Sequence, residues 1–155
     1  MNSIAIVGIH TGIGKTITSA VFVEGYGLDY WKPVQAGNLE ATDTMEVERL
    51  VTNSTVTFHP EAYRLRAAMS PHASAAEEGV YIDPSKLVLP TTTRPMVVET
   101  AGGLMSPISN GLTNLELVIS LQIPVVLVSK NYLGSINHTM LTHEVLCQHG
   151  IDRRM

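Results

Sequence analysis

Nine consecutive residues, Gly8-Ile9-His10-Thr11-Gly12-Ile13-Gly14-Lys15-Thr16, have the types and spacing of a loop that holds phosphate. They lie between the apolar run Ile4-Ala5-Ile6-Val7 and a stretch compatible with a helix. A glycine-rich turn in that setting presents successive backbone N–H groups, and the N-terminus of the following helix adds about half a positive charge facing the anion. Lys15 would then reach the β and γ phosphates, and the Thr16 hydroxyl would sit on Mg²⁺. Five residues rather than the usual four separate Gly8 from the Gly-Lys-Thr triplet, so the motif carries one insertion. An ordinary strand-to-helix turn explains the glycines; the Lys-Thr pair behind them argues for phosphate.

In open parallel sheets ligands sit beyond the carboxyl ends of the strands, so other strand ends are the next places to look. Glu99 follows Met96-Val97-Val98, and Gly102-Gly103 come soon after. A carboxylate there suits Mg²⁺ or its bound water, and left buried without cation or hydrogen bonds it would be costly. Asp43 stands at a helix start, where it is either a plain helix cap or a second carboxylate for the metal. Lys32, between Trp31 and Pro33, is either a surface lysine or a second cation over a transferring phosphoryl group. Ser129-Lys130 and the turn Leu133-Gly134-Ser135-Ile136-Asn137 end a further strand. None of the six histidines pairs with Ser or Cys as a triad, and His138 and His143, five apart, do not share a helical face.

The elements that must position these groups alternate. Strands are expected at residues 3–7, 29–32, 95–99 and 124–128, with helices over 15–23, 42–51, 70–78, 113–121 and 135–149. Asn53 to Leu65 reads as extended or irregular, and Asp83 to Leu87 as weakly helical. This rhythm predicts an α/β fold with a doubly wound, mostly parallel sheet in one domain over residues 1–155. A fifth parallel strand is expected where residues 150–155 end the sequence, so the fold reads as missing its C-terminal strand and the domain as incomplete there.

Composition agrees with such a domain. The chain has 155 residues, 45% of them apolar and 15% charged, and a net charge of −4. No apolar run approaches the ~18 residues that cross a membrane, and no signal-peptide pattern opens the sequence, so a cytoplasmic location is expected. The acidic balance and the lack of a dense Lys/Arg patch argue against nucleic acid. Cys147 is the single cysteine, which excludes an internal disulfide and reads as a buried helix residue.

Taken together, six segments resemble the dethiobiotin synthase family, across essentially the whole chain. They are Gly8 to Thr16 with its extra residue, Lys32-Pro33-Val34 followed by Gly37, Asp43, Ser70-Pro71-His72, Val98-Glu99 with Ala101-Gly102-Gly103, and Leu133 to His138. The resemblance implies a P-loop NTPase fold of the three-layer, Rossmann-like type. It also implies an ATP- and Mg²⁺-dependent ligase of biotin biosynthesis, in which 7,8-diaminononanoate takes up CO₂ (or bicarbonate) as a carbamate. ATP phosphorylates the carbamate, and the second amine displaces phosphate to close the ureido ring.

By position, the resemblance makes Lys32 the lysine that stabilises carbamate and transferring phosphate, with Lys15 and Thr11 assisting. Gly12, Ile13, Gly14, Lys15, Thr16 and Ile17, with Asp43, Glu99, Thr100, Ala101 and Gly102, would hold the nucleotide. Thr16, Asp43 and Glu99 would hold Mg²⁺. Thr11, Lys32 and Ala36, with Gly134, Ser135, Ile136 and Asn137, would hold the diamine, the last four across the interface of a homodimer.

The sequence departs from the family pattern at Ala36, where Ser or Thr is usual, at His10 in place of Asp, and at Thr100 in place of Gly. The family also continues into a strand and an Asn-bearing loop that reads adenine, which predicts weakened nucleotide selectivity here and leaves an inactive fragment as an alternative. A partition-type or nitrogenase-like regulatory ATPase shares the deviant loop but would carry a second lysine where His10 stands. A GTPase would need an Asn-Lys-x-Asp motif that Ser129-Lys130-Asn131-Tyr132 does not supply.

Overall fold

The computed structural model describes residues 2–151 and 153–154. Its elements in chain order are β1 (Ile4–Gly8), α1 (Lys15–Tyr26), β2 (Asp29–Trp31), β3 (Val34–Ala36), α2 (Asp43–Leu50), β4 (Phe58–His59) and β5 (Tyr63–Leu65). There follow α3 (Pro71–Glu77), a 3₁₀ turn (Pro84–Lys86), β6 (Met96–Gly103), β7 (Pro107–Ser109), β8 (Leu112–Thr113), α4 (Asn114–Leu121), β9 (Val125–Val128), α5 (Ser135–Gln148) and β10 (Arg153–Arg154). Six strands form one sheet in the order β10-β9-β1-β6-β2-β4, every pair parallel.

The central strands are apolar at successive positions because they are covered on both faces. Along β1 the side chains alternate: Ile4 and Ile6 pack with Ala20 and Val23 of α1, whereas Ala5 and Val7 pack with Leu115 and Val118 of α4 and Leu146 of α5. The doubly wound architecture follows, with α1 on one face and α4 and α5 on the other. Thr113 starts α4 with a reciprocal cap, its hydroxyl accepting from the Leu115 N–H while Glu116 accepts from the Thr113 N–H.

The sequence expectations need four corrections. The sheet has six strands rather than four, because β4 pairs beside β2 at one edge and Arg153–Arg154 pair with Val125 and Val126 at the other. Arg153 and Arg154 thus pair where the fifth parallel strand is expected. The strand through Glu99 does not stop at that carboxylate: it runs on to Gly103, which pairs with Gly8 after an irregularity in which four steps of β6 span two of β1. Helix α1 passes Val23 and ends only at Gly27, which has φ of 62°. The irregular stretch holds β5, which pairs with β3 in a small second sheet, and β7 and β8 form a hairpin.

Candidate active site

Strand periodicity decides which side chains meet beneath the phosphate-binding loop. Along β2, Tyr30 packs on the α1 face and Trp31 on the other, against Met96 and Val98; two residues beyond Tyr30, Lys32 returns to the α1 side. In β6, Val97 packs on that same side, and Glu99 follows two residues later. Register sets Tyr30 opposite Val97, which carries Lys32 and Glu99 to neighbouring places at the top of the sheet. From α1, Thr16 and Ser19 project one turn apart onto the same spot.

Glu99 is 1% exposed and accepts from four donors. Its Oε2 receives the Ser19 hydroxyl at 2.7 Å and the Tyr30 hydroxyl at 3.1 Å, and its Oε1 receives the Thr16 hydroxyl at 3.0 Å and Lys32 Nζ at 3.4 Å. Lys32 Nζ also lies 2.6 Å from Asp43 Oδ2. Lys32 is no surface lysine: it is 3% exposed. Burial opposes its charge, but Glu99 and Asp43 more than offset that cost and its pKa stands above the ordinary lysine value. Burial would raise Asp43, yet the Lys32 charge and hydrogen bonds from Lys32 and Thr16 leave it below the usual carboxylate range. Burial, reinforced by the Lys32 charge, pushes Lys15 down to about 8 against the pull of Glu99 and Asp43.

Asp43 is free for this because it does not cap its helix. Thr42 does: its hydroxyl accepts the Met45 N–H at 3.2 Å. Gln35 then orients the helix start, accepting the Asp43 N–H at 3.3 Å and donating to the Gly37 carbonyl at 2.9 Å. At the other helix, Gly14 precedes α1 with φ of 103°, a conformation that suits glycine, and no side chain caps α1, so the loop's own N–H groups face outward. Lys15 Nζ donates back to the His10 carbonyl at 3.1 Å.

These groups open on a cleft of about 350 Å³. Thr11, Lys32, Ala36, Asp43, Ala101 and Gly102 line it, as expected from sequence, together with Gln35, Ala68, Met69, Ser70, Pro71 and Ser106. Other expected site residues lie apart from it. Thr100 is 1% exposed and donates its hydroxyl to the Ile6 carbonyl, so its side chain serves the sheet. Ile13 is a core residue, and Ile17 is 54% exposed on α1. Gly134, Ser135, Ile136 and Asn137 form the start of α5 and do not line the cleft. His10 packs edge-on against Tyr132, which meets His138 Nδ1 at 2.7 Å through its hydroxyl. Cys147 is half-buried rather than buried, 3.6 Å from His143 Nδ1.

Sequence reasoning missed Tyr30, Ser19 and Gln35. Their signal was positional: Tyr30 two residues before Lys32, Ser19 three after Thr16, and a polar Gln35 inside a buried strand. Asp43 and Glu99 flank the Lys32 ammonium and the Thr16 hydroxyl bonds to Glu99, so three oxygen groups of the kind that suit a hard divalent cation come together. No group of three His, Cys, Asp or Glu side chains able to hold a metal occurs among the described residues, so such an ion would depend on the Thr16 hydroxyl and on phosphate oxygens as well.

A family model described as an AAA domain matches residues 2–155. The chain is 45% identical over 148 residues to the ATP-dependent dethiobiotin synthetase BioD of Christiangramia forsetii, covering 96% of this chain and 71% of that protein. It belongs to the dethiobiotin synthetase family. Proteins of the same name from Rhodopseudomonas palustris and Chlamydia pneumoniae are 46% and 45% identical, covering 92% and 94% of this chain and 67% and 65% of their own lengths. The chain thus spans about two thirds of these family members. The family-model match, residues 2–155, contains the phosphate-binding loop, Lys32, Asp43 and Glu99.

Proposed function

We propose that this chain carries out the ATP-dependent closure of a ureido ring on 7,8-diaminononanoate, in biotin biosynthesis. The observation that carries the reading is Lys32, whose buried ammonium is held between Asp43 and Glu99 and opens on the cleft beside the phosphate-binding loop. A GTPase or regulatory ATPase has no need of a second buried lysine facing a cleft for a small molecule. The name that these family members carry and the 43–46% identity along most of the chain favour the ligase over both an unrelated ATPase and an inert fragment.

In the proposed reaction one amine of the diamine adds to CO₂ and loses a proton, giving a carbamate. Lys32 neutralises the carbamate oxygens in the cleft, and Thr11, at the mouth of the loop, orients them. A carbamate oxygen attacks the γ-phosphorus of ATP, the bond to the β-phosphate oxygen breaks, and ADP leaves. Lys15 and Lys32 hold the charge that spreads over the transferring phosphoryl oxygens, where electrostatic stabilisation is the main catalytic contribution. The second amine then attacks the carbonyl carbon of the mixed anhydride, phosphate leaves, and loss of a proton yields the cyclic urea. Thr16, Asp43 and Glu99 would hold Mg²⁺, which supplies charge screening on the β and γ phosphates. Ala36 removes a hydroxyl from the cleft wall, so binding of the diamine here leans on Lys32, Thr11 and the surrounding backbone.

We further propose a homodimer. Leu133, Ile136, Met140 and Leu141 are 103%, 81%, 61% and 59% exposed around the start of α5, an apolar concentration that a second copy would cover. The Gly134 to Asn137 turn would then serve the partner's cleft, which accounts for its absence from the lining of its own. No helix among the described residues is long and apolar enough to cross a membrane. A cytoplasmic location is consistent with this.

The test is phosphate release from ATP with Mg²⁺ and bicarbonate, with and without the diamine. Release that requires the diamine and is lost in Lys32→Ala supports the ligase. Diamine-independent release would point to a general ATPase, and none from folded protein to an inert chain.

A further inference from the structure

Glu99 has two oxygens in unlike surroundings. Oε2 lies beneath the sheet top, with Ser19 and Tyr30 hydroxyls donating to it at 2.7 and 3.1 Å. Oε1 faces Thr16 and Lys32, the groups that reach the cleft and the phosphate-binding loop. A carboxylate has about four acceptor positions, so two hydroxyls fill the inner oxygen, while the outer one is left to Lys32 and to Thr16 of the phosphate-binding loop. An unpaired buried carboxylate oxygen would be costly, and these two donors offset that cost without bringing in a second positive charge.

Tyr30 is built into this place. It is 0% exposed, its ring packs at 6.2 Å from that of Phe58 in the neighbouring edge strand, and it sits in the core cluster with Ile4, Ile6 and Val97. Its backbone is fixed by parallel pairing to both Val97 and Phe58. The hydroxyl therefore reaches Glu99 from a rigid side chain on a central strand, whereas Ser19 reaches it from a helix.

We infer that Tyr30 is a positioning residue: with Ser19 it pins the Glu99 carboxylate so that only Oε1 is presented to a divalent cation bound with the nucleotide. The inference rests on the ligase reading for the metal's use, but its test is a metal-binding measurement that does not depend on turnover. Tyr30→Phe keeps the ring and its packing and removes only the hydroxyl. Released on one side, Glu99 can rotate and share both oxygens with Lys32, so the cation loses a fixed ligand.

The experiment titrates Mn²⁺ into the full chain with ATP, reading bound metal by electron paramagnetic resonance, for the wild type, Tyr30→Phe, Ser19→Ala and the double variant. Thermal unfolding without metal is followed in parallel. The expected result is a 3- to 10-fold weaker Mn²⁺ affinity in Tyr30→Phe, a larger loss in the double variant, and a metal-free melting temperature within a few degrees of wild type. Where the ligase is active, kcat should fall with the metal affinity while KM for the diamine holds. Unchanged Mn²⁺ affinity in both single variants, or a stability loss with metal affinity intact, overturns the inference, as does a wild type that binds no Mn²⁺ with ATP. If Tyr30→Phe fails to fold, Ser19→Ala alone decides. Weakened metal binding in a chain that never turns over the diamine upholds the inference and defeats the ligase reading instead.

Discussion

Lys32 Nζ and Asp43 Oδ2 lie 2.6 Å apart, joining the end of a central strand to the first residue of a helix eleven positions on. The lysine side chain is 4% exposed and the aspartate 39%, so the pair looks out of the protein only through the cleft. With Glu99 on its other side, the ammonium is the sole cation bonded to either carboxylate among the described side chains. Replacing Lys32 with Met should lower diamine-dependent phosphate release by roughly 10²–10³-fold, the scale of losing one charge-stabilising group. It should also cost about 2 kcal/mol of stability, less than a fully buried pair because Asp43 is partly exposed. Mg²⁺ should restore part of that loss by taking the lysine's place between the carboxylates. Urea unfolding with and without Mg²⁺, beside the phosphate assay, checks both statements.

Lys15 makes nucleotide binding sensitive to mildly alkaline pH. Its pKa in the folded chain is depressed to about 8 by burial and by Lys32, below the unfolded value near 10.4. Above about pH 8 the free protein loses the ammonium that a phosphate would meet, so ATP affinity should weaken by up to about tenfold per pH unit until bound phosphate no longer holds the proton. The stability effect has the opposite sign. Between about pH 8 and 10 the unfolded chain binds more protons at this site than the folded one, so the Lys15 contribution rises with pH across that window. Lys15→Arg, which stays charged, should flatten the affinity profile measured by titration calorimetry from pH 7 to 9.5. A wild-type profile already flat there would reject the role given to the lysine.

The parts of this site carried by one short segment were legible in the sequence, and those assembled across segments were not. Gly8 to Thr16 declares itself because the loop's glycines and its Lys-Thr pair are contiguous, and Lys32, Asp43 and Glu99 because strand and helix ends are where polar residues follow apolar ones. Tyr30 in a three-residue buried strand has the composition of core, and nothing local reveals that its hydroxyl meets a carboxylate 69 positions away. The wall formed by Ala68 to Pro71 depends on β3 pairing with β5, strands of three residues each, too short for a period to register. The overrun of β6 past Glu99 depends on Gly103 pairing again with Gly8 of β1 after two extra residues in β6, a partner that no reading of residues 96–103 alone contains.

Gly37 holds that wall in place. Its φ is 75°, and a Cβ there would lie 2.5 Å from Ala68 Cα and 2.6 Å from Ala68 Cβ. The clash is with the backbone of that wall itself, packed directly on Gly37, so no side-chain rotation relieves it. Gly37→Ala should destabilise the chain by about 3 kcal/mol, from a strained left-handed residue plus overpacking. It should also raise KM for the diamine by moving Ala68 and Met69 outward. Gly79, with φ of 64° and open space around it, is the matched control: Gly79→Ala carries only the backbone strain, about 1 kcal/mol. Equal effects of the two substitutions in urea unfolding would remove the packing argument.

The start of α5 tests the proposed dimer. Ile136 and Met140 stand four apart and share a face of α5, with Leu141 beside Met140 and Leu133 just ahead of the helix, so the exposed apolar side chains cluster at its start. A solvated face has no reason to place four large apolar groups within nine residues, whereas a twofold contact would bury them. Ile136→Asp should convert the chain to a monomer in sedimentation velocity with a folded circular dichroism spectrum. If the turn that contains Ile136 serves the partner's cleft, the same substitution raises KM for the diamine at least tenfold while leaving ATP affinity near wild type, because the phosphate-binding loop and Lys32 belong to one copy. A monomeric wild type with the same KM as the variant would mean that the cleft is complete within one chain.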